Sequence, residues 1–550
     1  MDRGKSLYDL YDWRDNICVS HYPLPKEKPE NTDVSQLMGL WEENRNPTPK
    51  ALYIHIPFCD KICSFCPFNK VLKQDNLVTE YIKALKQEMA SYARTPYIKT
   101  SKFAAVNFGG GTPSSLTSEQ LTDLIESVKN NFVLTQDAVI SMEGSTTNFS
   151  EEKLEAVRKA GVSRVSFGIQ TFQQKLRKIM GLEDSSERCK ELLLHARETG
   201  YENICIDLIY NLPGQTMQDW MEDIHYAVKS EIPHITLFAL CMVPGTKLQD
   251  QIIHNQVPGV GHQNDEIDMF VQARERLREA GYLQYSIWDF AKPGKIDVNP
   301  LLYYNKQSDL IGLGPAAFGY INSYMYINKG RIFEYCKSAE QGSLPVLAGK
   351  KADRMDRMRG MMAKGLRNYS VDKELFYQLF GTKPEEVFPK EINRLVKDGL
   401  IEITDRQIRL TDRGGVWGNN VSKEFFEEPE TFAWRKSLAK GIFPETEQHT
   451  DAEDNIDPAS FIWDSRLSGI FEKLLSRKPV FIREQSRLAI SRKAASYAQQ
   501  DNRKEIKERD LVFATLEDTP EQFRPTAIDG FRKLGISMDI YLEEMKKERK

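Results

Sequence analysis

The stretch ALYIHIPFCDKICSFC (residues 51–66) joins an apolar run to three closely spaced cysteines. The apolar run is typical of a buried β-strand. Cys59, Cys63 and Cys66 follow it with the spacing C-x3-C-x2-C. A cubane of four irons takes four ligands, so three thiolates would leave one iron open to another ligand. The stretch therefore favours a 4Fe–4S cluster at the end of a strand.

A zinc site is the alternative that the spacing leaves open, with His55 or Asp60 as a further ligand. The context of the cysteines bears on this choice. The next apolar run along the chain ends in GGGTP (residues 109–113), so a glycine-rich turn follows the cysteine loop. A cysteine loop after a strand, followed by such a turn, favours the cluster over zinc.

The composition is that of a globular protein that binds neither nucleic acid nor membranes. The 550 residues are 40% hydrophobic and 28% charged, with a formal net charge of -4, whereas nucleic-acid binding needs a concentrated basic face. The sequence contains no apolar run long enough for a membrane span and no N-terminal secretory signal. We expect a cytoplasmic protein, in which clustered cysteines indicate metal binding or catalysis. We expect the scattered cysteines to be buried small hydrophobes; they are Cys18, Cys189, Cys205, Cys241 and Cys336.

Apolar strand-like runs alternate with amphipathic helix-like stretches from residue 51 to residue 281. The strand-like runs after the first are residues 103–108, 138–143, 164–170, 203–210 and 234–240. Repeating strand–helix units predict a parallel sheet, here an α/β partial (β/α)6 barrel. In such sheets the functional residues gather where the strands end. Glu143, Gln170 and Asp207 lie at or near the ends of three predicted strands.

The chain divides by pattern into five predicted segments. They are an N-terminal arm (1–50), the barrel core (51–320), a winged-helix-like accessory domain (321–428), an acidic linker (429–460) and a small helical domain (461–550). The accessory domain is predicted from two amphipathic helices followed by a β-hairpin. The linker contains PETEQHTDAEDNIDP, which is strongly acidic and typical of a solvated connection.

Five motifs together resemble the radical S-adenosylmethionine (SAM) superfamily, in the branch of the oxygen-independent coproporphyrinogen oxidases (HemN-like). The motifs are YIHIPFCDKICSFC, NFGGGTPSSL, GVSRVSFGIQTF, IDLIYNLPGQT and LIGLGPAAFGY. The likeness extends over about residues 50–425 and includes an accessory domain of the HemN type. It implies a 4Fe–4S cluster on Cys59, Cys63 and Cys66, with SAM on the open iron. It also implies a flavodoxin or ferredoxin as electron donor and a tetrapyrrole, or a similar conjugated molecule, as substrate.

The resemblance further implies which residues bind SAM. Gly110, Gly111 and Thr112 would approach its methionine part, where a larger side chain would clash. Glu143 would pair with a cationic or hydroxyl group of SAM, and Asp207 would bond to its ribose.

Other residues would support these ligands. Gln170 would help to position them, and Tyr53 and Phe65 would pack at the cluster. In this branch a second SAM molecule often binds beside the first, so one or two molecules are expected. The backbone near Cys241 and Phe318 would border the second. The sequence does not indicate which residue exchanges a proton with the substrate.

Two positions depart from the coproporphyrinogen oxidases. Phe68 stands where their cysteine loop has an additional cysteine, and Leu182 replaces an arginine expected in MGLEDSSE. Both departures argue against oxidative decarboxylation. The motifs EGSTTNF (143–149) and GGVWGNN (414–420) are nearer to those of the anaerobic haem-degrading radical SAM methyltransferases.

Three functions therefore compete. Radical methylation of haem with ring opening is the preferred prediction. Oxygen-independent coproporphyrinogen III dehydrogenase and a haem chaperone of the same fold are the alternatives. The C-terminal tail loosely resembles the small helical domain of a light-independent protochlorophyllide reductase subunit, which again points to a tetrapyrrole. An ordinary amphipathic helical unit is the other interpretation of the tail.

Overall fold

A computed structural model describes residues 6–17, 21–27, 29, 33–243, 246–427, 460–476, 480–501, 503–517, 519 and 524–548. Cys18 and most of the predicted acidic linker lie outside the described residues. The chain forms two compact units, one of Met1–Cys241 with Thr246–Glu427 and one of Met242–Gly245 with Glu428–Lys550. None of the helices in the described part of the chain has both the length and the apolar character that a membrane crossing requires.

The strands of the first unit form one large sheet and two small ones. In chain order they are β1 (Lys50–Ile56), β2 (Phe58–Cys59), β3 (Val71–Leu72), β4 (Phe103–Gly110), β5 (Leu134–Gly144), β6 (Arg164–Gln170), β7 (Asn203–Tyr210), β8 (His234–Ala239), β9 (Leu283–Gln284), β10 (Asp289–Ala291), β11 (Leu310–Leu313), β12 (Phe318–Ile321), β13 (Tyr324–Asn328), β14 (Val346–Lys351), β15 (Ser370–Asp372), β16 (Ile401–Ile403) and β17 (Gln407–Leu410). The large sheet has the order β14-β13-β12-β11-β1-β4-β5-β6-β7-β8-β10-β9. Strands β2 and β3 form a separate pair, and β15, β17 and β16 form a small sheet.

The six strands predicted for the barrel lie next to one another and run parallel as β1, β4, β5, β6, β7 and β8. This arrangement confirms the predicted α/β class. Strands β1, β6 and β8 are almost continuously buried rather than alternating, as expected where both faces of a sheet are covered. Strands β14 and β9 end the sheet without pairing with each other, so the barrel is partial.

The helices of the first unit connect these strands and cover the sheet. In chain order they are α1 (Val34–Leu37), α2 (Asp75–Ala93), α3 (Pro96–Lys99), α4 (Ser118–Asn131), α5 (Glu151–Lys159), α6 (Gln174–Ile179), α7 (Ser186–Glu198), α8 (Met217–Lys229), α9 (Lys247–Ile253), α10 (Gln263–Glu279), α11 (Val298–Pro300), α12 (Ile332–Glu340), α13 (Arg354–Arg367), α14 (Lys373–Phe380), α15 (Pro384–Val387), α16 (Pro389–Lys397), α17 (Asp412–Val416) and α18 (Gly418–Lys423). A π-helix, Leu301–Asn305, follows α11 directly. Helix α2 buries Val78, Tyr81, Leu85 and Met89 at helical spacing in the same core as the sheet, and Ile82 is half-buried against it.

The sheet extends beyond the predicted end of the barrel core at residue 320. Strand β11 adds a seventh parallel strand beside β1. Strands β12, β13 and β14 then continue the same sheet in antiparallel order to Lys351. The boundary drawn at residue 320 therefore falls inside a hydrogen-bonded sheet, and α13 begins after the sheet ends.

The accessory segment has the predicted helices and hairpin. Helices α14 and α16 precede the antiparallel pair β16–β17. Strand β15 pairs with β17 and gives the hairpin a third strand that the sequence pattern did not indicate. The segment therefore has a winged-helix-like order of elements.

The described part of the N-terminal arm packs against the rest of the first unit. Arg14 donates hydrogen bonds to the Tyr210 hydroxyl at 2.7 Å, the Glu266 carboxylate at 2.9 Å and the Val416 carbonyl at 2.7 Å. Asp15 forms a buried ion pair with Lys423 of α18. The arm is thus attached to the barrel and to the accessory segment.

The second unit is mostly helical and has a core of its own. Its elements are β18 (Ile462–Trp463), α19 (Ser465–Ser476), α20 (Val480–Gln500), β19 (Glu505–Ile506), α21 (Glu508–Glu517), α22 (Arg524–Lys533) and α23 (Met538–Glu548). Strands β18 and β19 form a short parallel pair. The core contains Phe471, Ile490, Phe513 and Phe531. This helical character is as the sequence predicts.

Candidate functional site

The cysteine loop, residues 59–70, leaves the sheet directly after β1. The pair β2–β3 closes it: the Val71 amide donates to the Pro57 carbonyl at 2.8 Å and the Lys73 amide to the Cys59 carbonyl at 2.9 Å. The Lys70 ammonium donates to the Cys66 carbonyl across the loop. A short parallel pair thus holds the three cysteines in one compact loop at the carboxyl end of β1.

The three thiols influence one another. Burial raises the pKa of Cys59, and the neighbouring Cys66 adds to this. Burial, Cys66 and Cys59 together raise the pKa of Cys63 to about 11. Without a metal the thiols of Cys59 and Cys63 stay protonated at neutral pH, whereas a coordinated metal deprotonates a thiol. A set of three mutually close sulfur donors fits an iron–sulfur cluster.

The two side chains considered as zinc ligands are bonded elsewhere. His55 lies between the Tyr53 hydroxyl, 3.2 Å from Nδ1, and the Asn69 carbonyl, 3.1 Å from Nε2. Asp60 is exposed, accepts a hydrogen bond from Asn148 and lies 4.0 Å from the Lys73 ammonium. Within the described residues, no group of three or more His, Cys, Asp or Glu side chains is placed to hold a single metal ion. A cluster does not need such convergence, because its thiolates bind different irons.

The glycine-rich turn after β4 packs directly on the chain that leads into the cysteine loop. The Gly111 amide donates to the Ile56 carbonyl and the Thr112 amide to the Phe58 carbonyl, both at 2.8 Å. A Cβ on Gly111 would lie 2.7 Å from the Pro57 carbonyl group. The Thr112 hydroxyl lies 3.3 Å from the Cys59 sulfur. The glycine is therefore required by the approach of two backbone segments.

Gly110 shows a second requirement in the same turn. Its φ of +114° is rarely adopted by residues with a side chain. A Cβ there would also lie 2.8 Å from the His55 ring.

Burial lowers the pKa of His55 to about 4, so the ring is neutral at pH 7. Since the Asn69 carbonyl only accepts, Nε2 carries the proton and the Tyr53 hydroxyl donates to Nδ1.

Two carboxylates lie in the interior of the barrel. Glu143, near the end of β5, accepts a hydrogen bond from the Asn107 amide of β4 at 3.1 Å, and burial raises the pKa of Glu143. Burial and the negative charge of Glu143 raise the pKa of Asp207 on β7 to about 7. The positive charge of Arg164 opposes both shifts. The two acids are thus near enough to repel each other, an arrangement that a bound cation would relieve.

Gln170 ends β6 in an unusual conformation. Its φ is +66°, in the left-handed region that residues other than glycine seldom adopt. Its side-chain amide folds over Gly168, where a Cβ would lie 2.7 Å from Nε2. Gly168 is the register partner of Asp207 on the next strand. Gln170 therefore borders the same part of the barrel as Asp207.

The segment after β6 contains an arginine, but it has a structural role. The Arg177 guanidinium is buried and donates to the carbonyls of Ile169, Thr171 and Asp184. Leu182, which replaces the arginine expected from the family pattern, is half-buried. Its amide donates to the Arg177 carbonyl at 2.9 Å. The segment thus holds an arginine that supports the turn, with its guanidinium on backbone carbonyls.

The remaining predicted residues surround this edge. Phe65 is half-buried in the cysteine loop, and Phe68 is 41% exposed. Cys241, half-buried, follows β8. Phe318 begins β12 and stacks on the His21 ring of the N-terminal arm, with ring centroids 4.0 Å apart. The prediction of a buried small hydrophobe is confirmed for Cys189, Cys205 and Cys336, and it is wrong for Cys241, which is only half-buried.

The sequence did not reveal the polar network that begins at Arg164. This buried guanidinium donates to the Ser141 hydroxyl at 3.0 Å and contacts His234 Nδ1 at 2.6 Å. His234 Nε2 lies 3.0 Å from the Tyr285 hydroxyl. The only signal was an arginine at the first position of a buried strand, RVSFGIQ, where a positive charge needs partners.

Comparison with known proteins identifies this arrangement. Residues 53–227 match the model of the Radical SAM superfamily, and residues 352–417 match that of the HemN C-terminal domain. The heme chaperone HemW of Bacillus subtilis (strain 168) is 32% identical over 384 residues, which are 69% of this chain and 100% of the chaperone. The chain belongs to the HemN/HemW family of radical SAM proteins. Membership of this family implies a 4Fe–4S cluster and SAM as cofactors.

Two further comparisons concern another member of the HemN/HemW family. The oxygen-independent coproporphyrinogen III oxidase of Salmonella typhimurium is 28% identical over 439 residues, 76% of this chain and 94% of the oxidase. The solved structure of coproporphyrinogen III oxidase (HemN) from Escherichia coli superposes with a TM-score of 0.65 at 26% identity, covering 74% of this chain and 97% of that one. The predicted radical SAM fold and HemN-type relationship are therefore confirmed.

Proposed function

We propose that the chain holds a 4Fe–4S cluster on Cys59, Cys63 and Cys66, binds SAM beside it and acts on a tetrapyrrole. The contact of the Cys59 sulfur with Thr112 carries this proposal, because it joins the cysteine loop to the glycine turn at the carboxyl edge of a HemN-like barrel. When bound, the cluster would supply the electron that splits SAM into methionine and a 5′-deoxyadenosyl radical. A flavodoxin or ferredoxin would deliver that electron. We expect no nucleic acid or membrane among the partners.

Residues of the barrel interior would bind and orient SAM. The turn of Gly110, Gly111 and Thr112 would lie against its methionine part. Glu143 would pair with a cationic or hydroxyl group and Asp207 with the ribose; the raised pKa values of both acids support this, since each would gain from a donor.

Aromatic and backbone groups would complete the site. Tyr53 and Phe65 would pack at the cluster, and Gln170 would position the ligands beside Asp207. A second SAM molecule would border Cys241 and Phe318. His21 already stacks on one face of the Phe318 ring, so such a molecule would use the remaining surface of the ring.

Among tetrapyrroles we propose haem as the first ligand to test, and haem delivery as the first function. The full-length match to HemW at 32% identity supports this choice. Oxidation of coproporphyrinogen III is the second candidate, supported by the match to the E. coli oxidase structure. Phe68 and Leu182 weaken the oxidase candidate. Radical methylation with opening of the haem ring, which the sequence motifs favour, has no specific support from these relatives.

The test is anaerobic and uses the reconstituted full chain with SAM, a reductant and either haem or coproporphyrinogen III. Products are identified by mass spectrometry and haem binding by absorbance. Tight haem binding without turnover would support delivery. 5′-Deoxyadenosine with carbon dioxide and a vinyl porphyrinogen would establish the oxidase. S-adenosylhomocysteine with a methylated, iron-free product would establish methylation.

Two cysteine variants control this experiment. Cys63→Ala should lose the brown absorbance of the cluster and all SAM cleavage, because the cluster loses a ligand. Cys336→Ala, on α12, should keep both. If Cys63→Ala retained its iron and its SAM cleavage, the cofactor assignment would be wrong; a wild type that binds no tetrapyrrole would contradict the substrate class.

A further inference from the structure

Lys364 on α13 has a buried ammonium group. Only 4% of the residue is exposed. Its ammonium lies over two aromatic rings, 4.4 Å from the centroid of Tyr303 and 4.7 Å from that of Tyr320. Among the residues that the structure describes, no carboxylate forms an ion pair with it. Aromatic faces attract an ammonium but do not replace the anion or the water that it loses on burial.

Asp309, the negative charge that acts on Lys364, is already engaged. It accepts hydrogen bonds from the Tyr97 hydroxyl and, at 3.2 Å, from the backbone N–H of Asn322. Asp309 affects Lys364 only through a longer-range attraction. Burial outweighs this attraction and lowers the pKa of Lys364 to about 7. A bound anion would reverse that shift and keep the ammonium charged.

A second cation lies on the same face of α13, three residues further along. The Arg367 guanidinium lies 4.5 Å from the ring centroid of Trp288 and 5.7 Å from that of Tyr304. The positive charges of Lys364 and Arg367 both act on His21, whose pKa is lowered to about 3 by burial and by these two charges. The three basic side chains therefore lie close together.

Half-buried aromatic rings continue from this basic group toward the barrel interior. Tyr53, Trp288, Tyr304 and Phe318 are each partly exposed. Tyr53, Tyr304 and Phe318 pack on one apolar cluster. The Trp288 ring lies 6.0 Å from Phe238 on β8, the strand that pairs with the strand of Asp207. A flat conjugated molecule on these rings would extend from the basic group toward the proposed SAM site.

We propose that Lys364, assisted by Arg367, binds a carboxylate group of a flat conjugated substrate whose ring system lies on this aromatic surface. The inference rests on the proposed function, since it specifies how that substrate is held. A carboxylate would compensate the charge of the buried ammonium, and a carboxylate on a planar apolar molecule combines that charge with the aromatic contacts. Lys364 thereby selects carboxylate-bearing tetrapyrroles over neutral ones.

The experiment compares the binding of haem with that of its dimethyl ester, which has the same ring but no carboxylate. Both are titrated by visible absorbance into the reconstituted full-length protein. We expect the wild type to prefer haem by about tenfold to a hundredfold, the usual range for a charge-assisted hydrogen bond. Lys364→Met should lose most of this preference and bind the ester as well as the wild type does. Lys364→Arg should retain the preference.

Two further variants serve as controls. Lys364→Gln removes the charge but keeps an amide donor, so it should also lose the preference even if Lys364→Met is unstable. Lys86→Met breaks an exposed pair with Asp123 and should behave like the wild type. The iron content of each variant is measured in the same preparations, so that loss of the fold is recognised.

The outcomes separate the inference from the function on which it rests. If the wild type bound haem and its ester equally, or if Lys364→Met and Lys364→Gln still preferred haem, then tetrapyrrole binding would stand and the role of Lys364 would be wrong. If the wild type bound neither compound, the proposed function would fail and the inference with it.

Discussion

At the scale of single residues, the buried carboxyl of Asp207 lowers the stability of the fold once it ionises, and the same carboxyl has a proposed role in SAM binding. Burial and the charge of Glu143 raise its pKa to about 7 from an ordinary value near 4. A carboxyl with a raised pKa binds its proton more tightly in the folded state than in the unfolded state. Its contribution to the free energy of unfolding is therefore complete at low pH and is lost as the pH rises to about 7.

Asp207→Asn should therefore stabilise the protein without cofactors at pH 8. A shift of about three units corresponds to about 4 kcal/mol, so we expect a gain of about 2 to 4 kcal/mol at pH 8 and almost none at pH 4. Urea unfolding at both pH values measures this. SAM binding should weaken while the iron content is unchanged; an equal loss of iron would mean that Asp207 supports the cluster instead.

Asp219 is the matched control, because its shift has the opposite sign. Burial alone would raise the pKa of Asp219, but hydrogen bonds from Lys175 and Thr216 outweigh burial and lower this pKa. Its contribution to stability is present above its unfolded pKa and is lost as the pH falls. Asp219→Asn should therefore lower the free energy of unfolding at pH 8, where Asp207→Asn raises it.

Single residues were predictable where a strand ends in a chemically distinctive side chain. Glu143 and Gln170 lie at the ends of β5 and β6, and Asp207 lies within β7, three residues before its end. The alternation of strands and helices was sufficient to place the three on adjacent parallel strands. His21 and Lys364 were not predictable in this way. His21 lies in an arm with few periodic signals, and a lysine on an amphipathic helix is ordinarily exposed.

At the scale of elements, the junction between the cysteine loop and the glycine turn depends on two backbones in contact. The sequence motif GGGTP indicated a tight turn, and the structure explains the glycine at 111 by its distance from Pro57. The motif could not indicate which segment the turn meets, because that depends on the pairing of β1 with β4. The same limit applies to β11, whose short run LIGL gave no strand signal of its own.

Gly111→Ala should therefore damage the cluster site. The added Cβ would meet backbone atoms of Pro57, which cannot rotate away, so β1 and β4 must separate locally. We expect a loss of about 1 to 3 kcal/mol in the free energy of unfolding and at least half of the iron content. Iron analysis and urea unfolding measure the two effects.

Gly259→Ala is the control for this change, since a Cβ there would meet nothing within 4 Å. It should leave both quantities close to those of the wild type. Equal iron content in the two variants would contradict the proposed dependence of the cysteine loop on the glycine turn.

At the scale of the whole molecule, the sequence predicted the α/β core, the winged-helix-like segment and the helical tail. It did not predict that the N-terminal arm is bound by residues about four hundred positions away. Asp15 pairs with Lys423, and the Asn420 amide donates to the Trp13 carbonyl at 3.0 Å. Patterns within a short window of sequence indicate local secondary structure, so they carry no information about which distant segment a residue contacts.

This pairing gives a prediction about the first unit as a whole. The side chains of Asp15 and Lys423 are 0% exposed, so each charge depends on its surroundings for compensation. Asp15→Asn would leave the Lys423 ammonium buried without this carboxylate, and we expect a loss of about 3 to 5 kcal/mol in the free energy of unfolding. The double variant Asp15→Asn/Lys423→Met removes both charges and should lie within about 1.5 kcal/mol of the wild type.

A double-mutant cycle, with Lys423→Met as the other single variant and urea unfolding as the measurement, isolates the coupling between the two side chains. The exposed pair of Lys86 with Asp123 is the reference, and Asp123→Ala there should cost no more than about 1 kcal/mol. A coupling of similar size at both pairs would mean that this ion pair adds little to the other contacts that hold the arm. A large coupling at Asp15 and Lys423 would mean that this ion pair itself fastens the arm to the accessory segment.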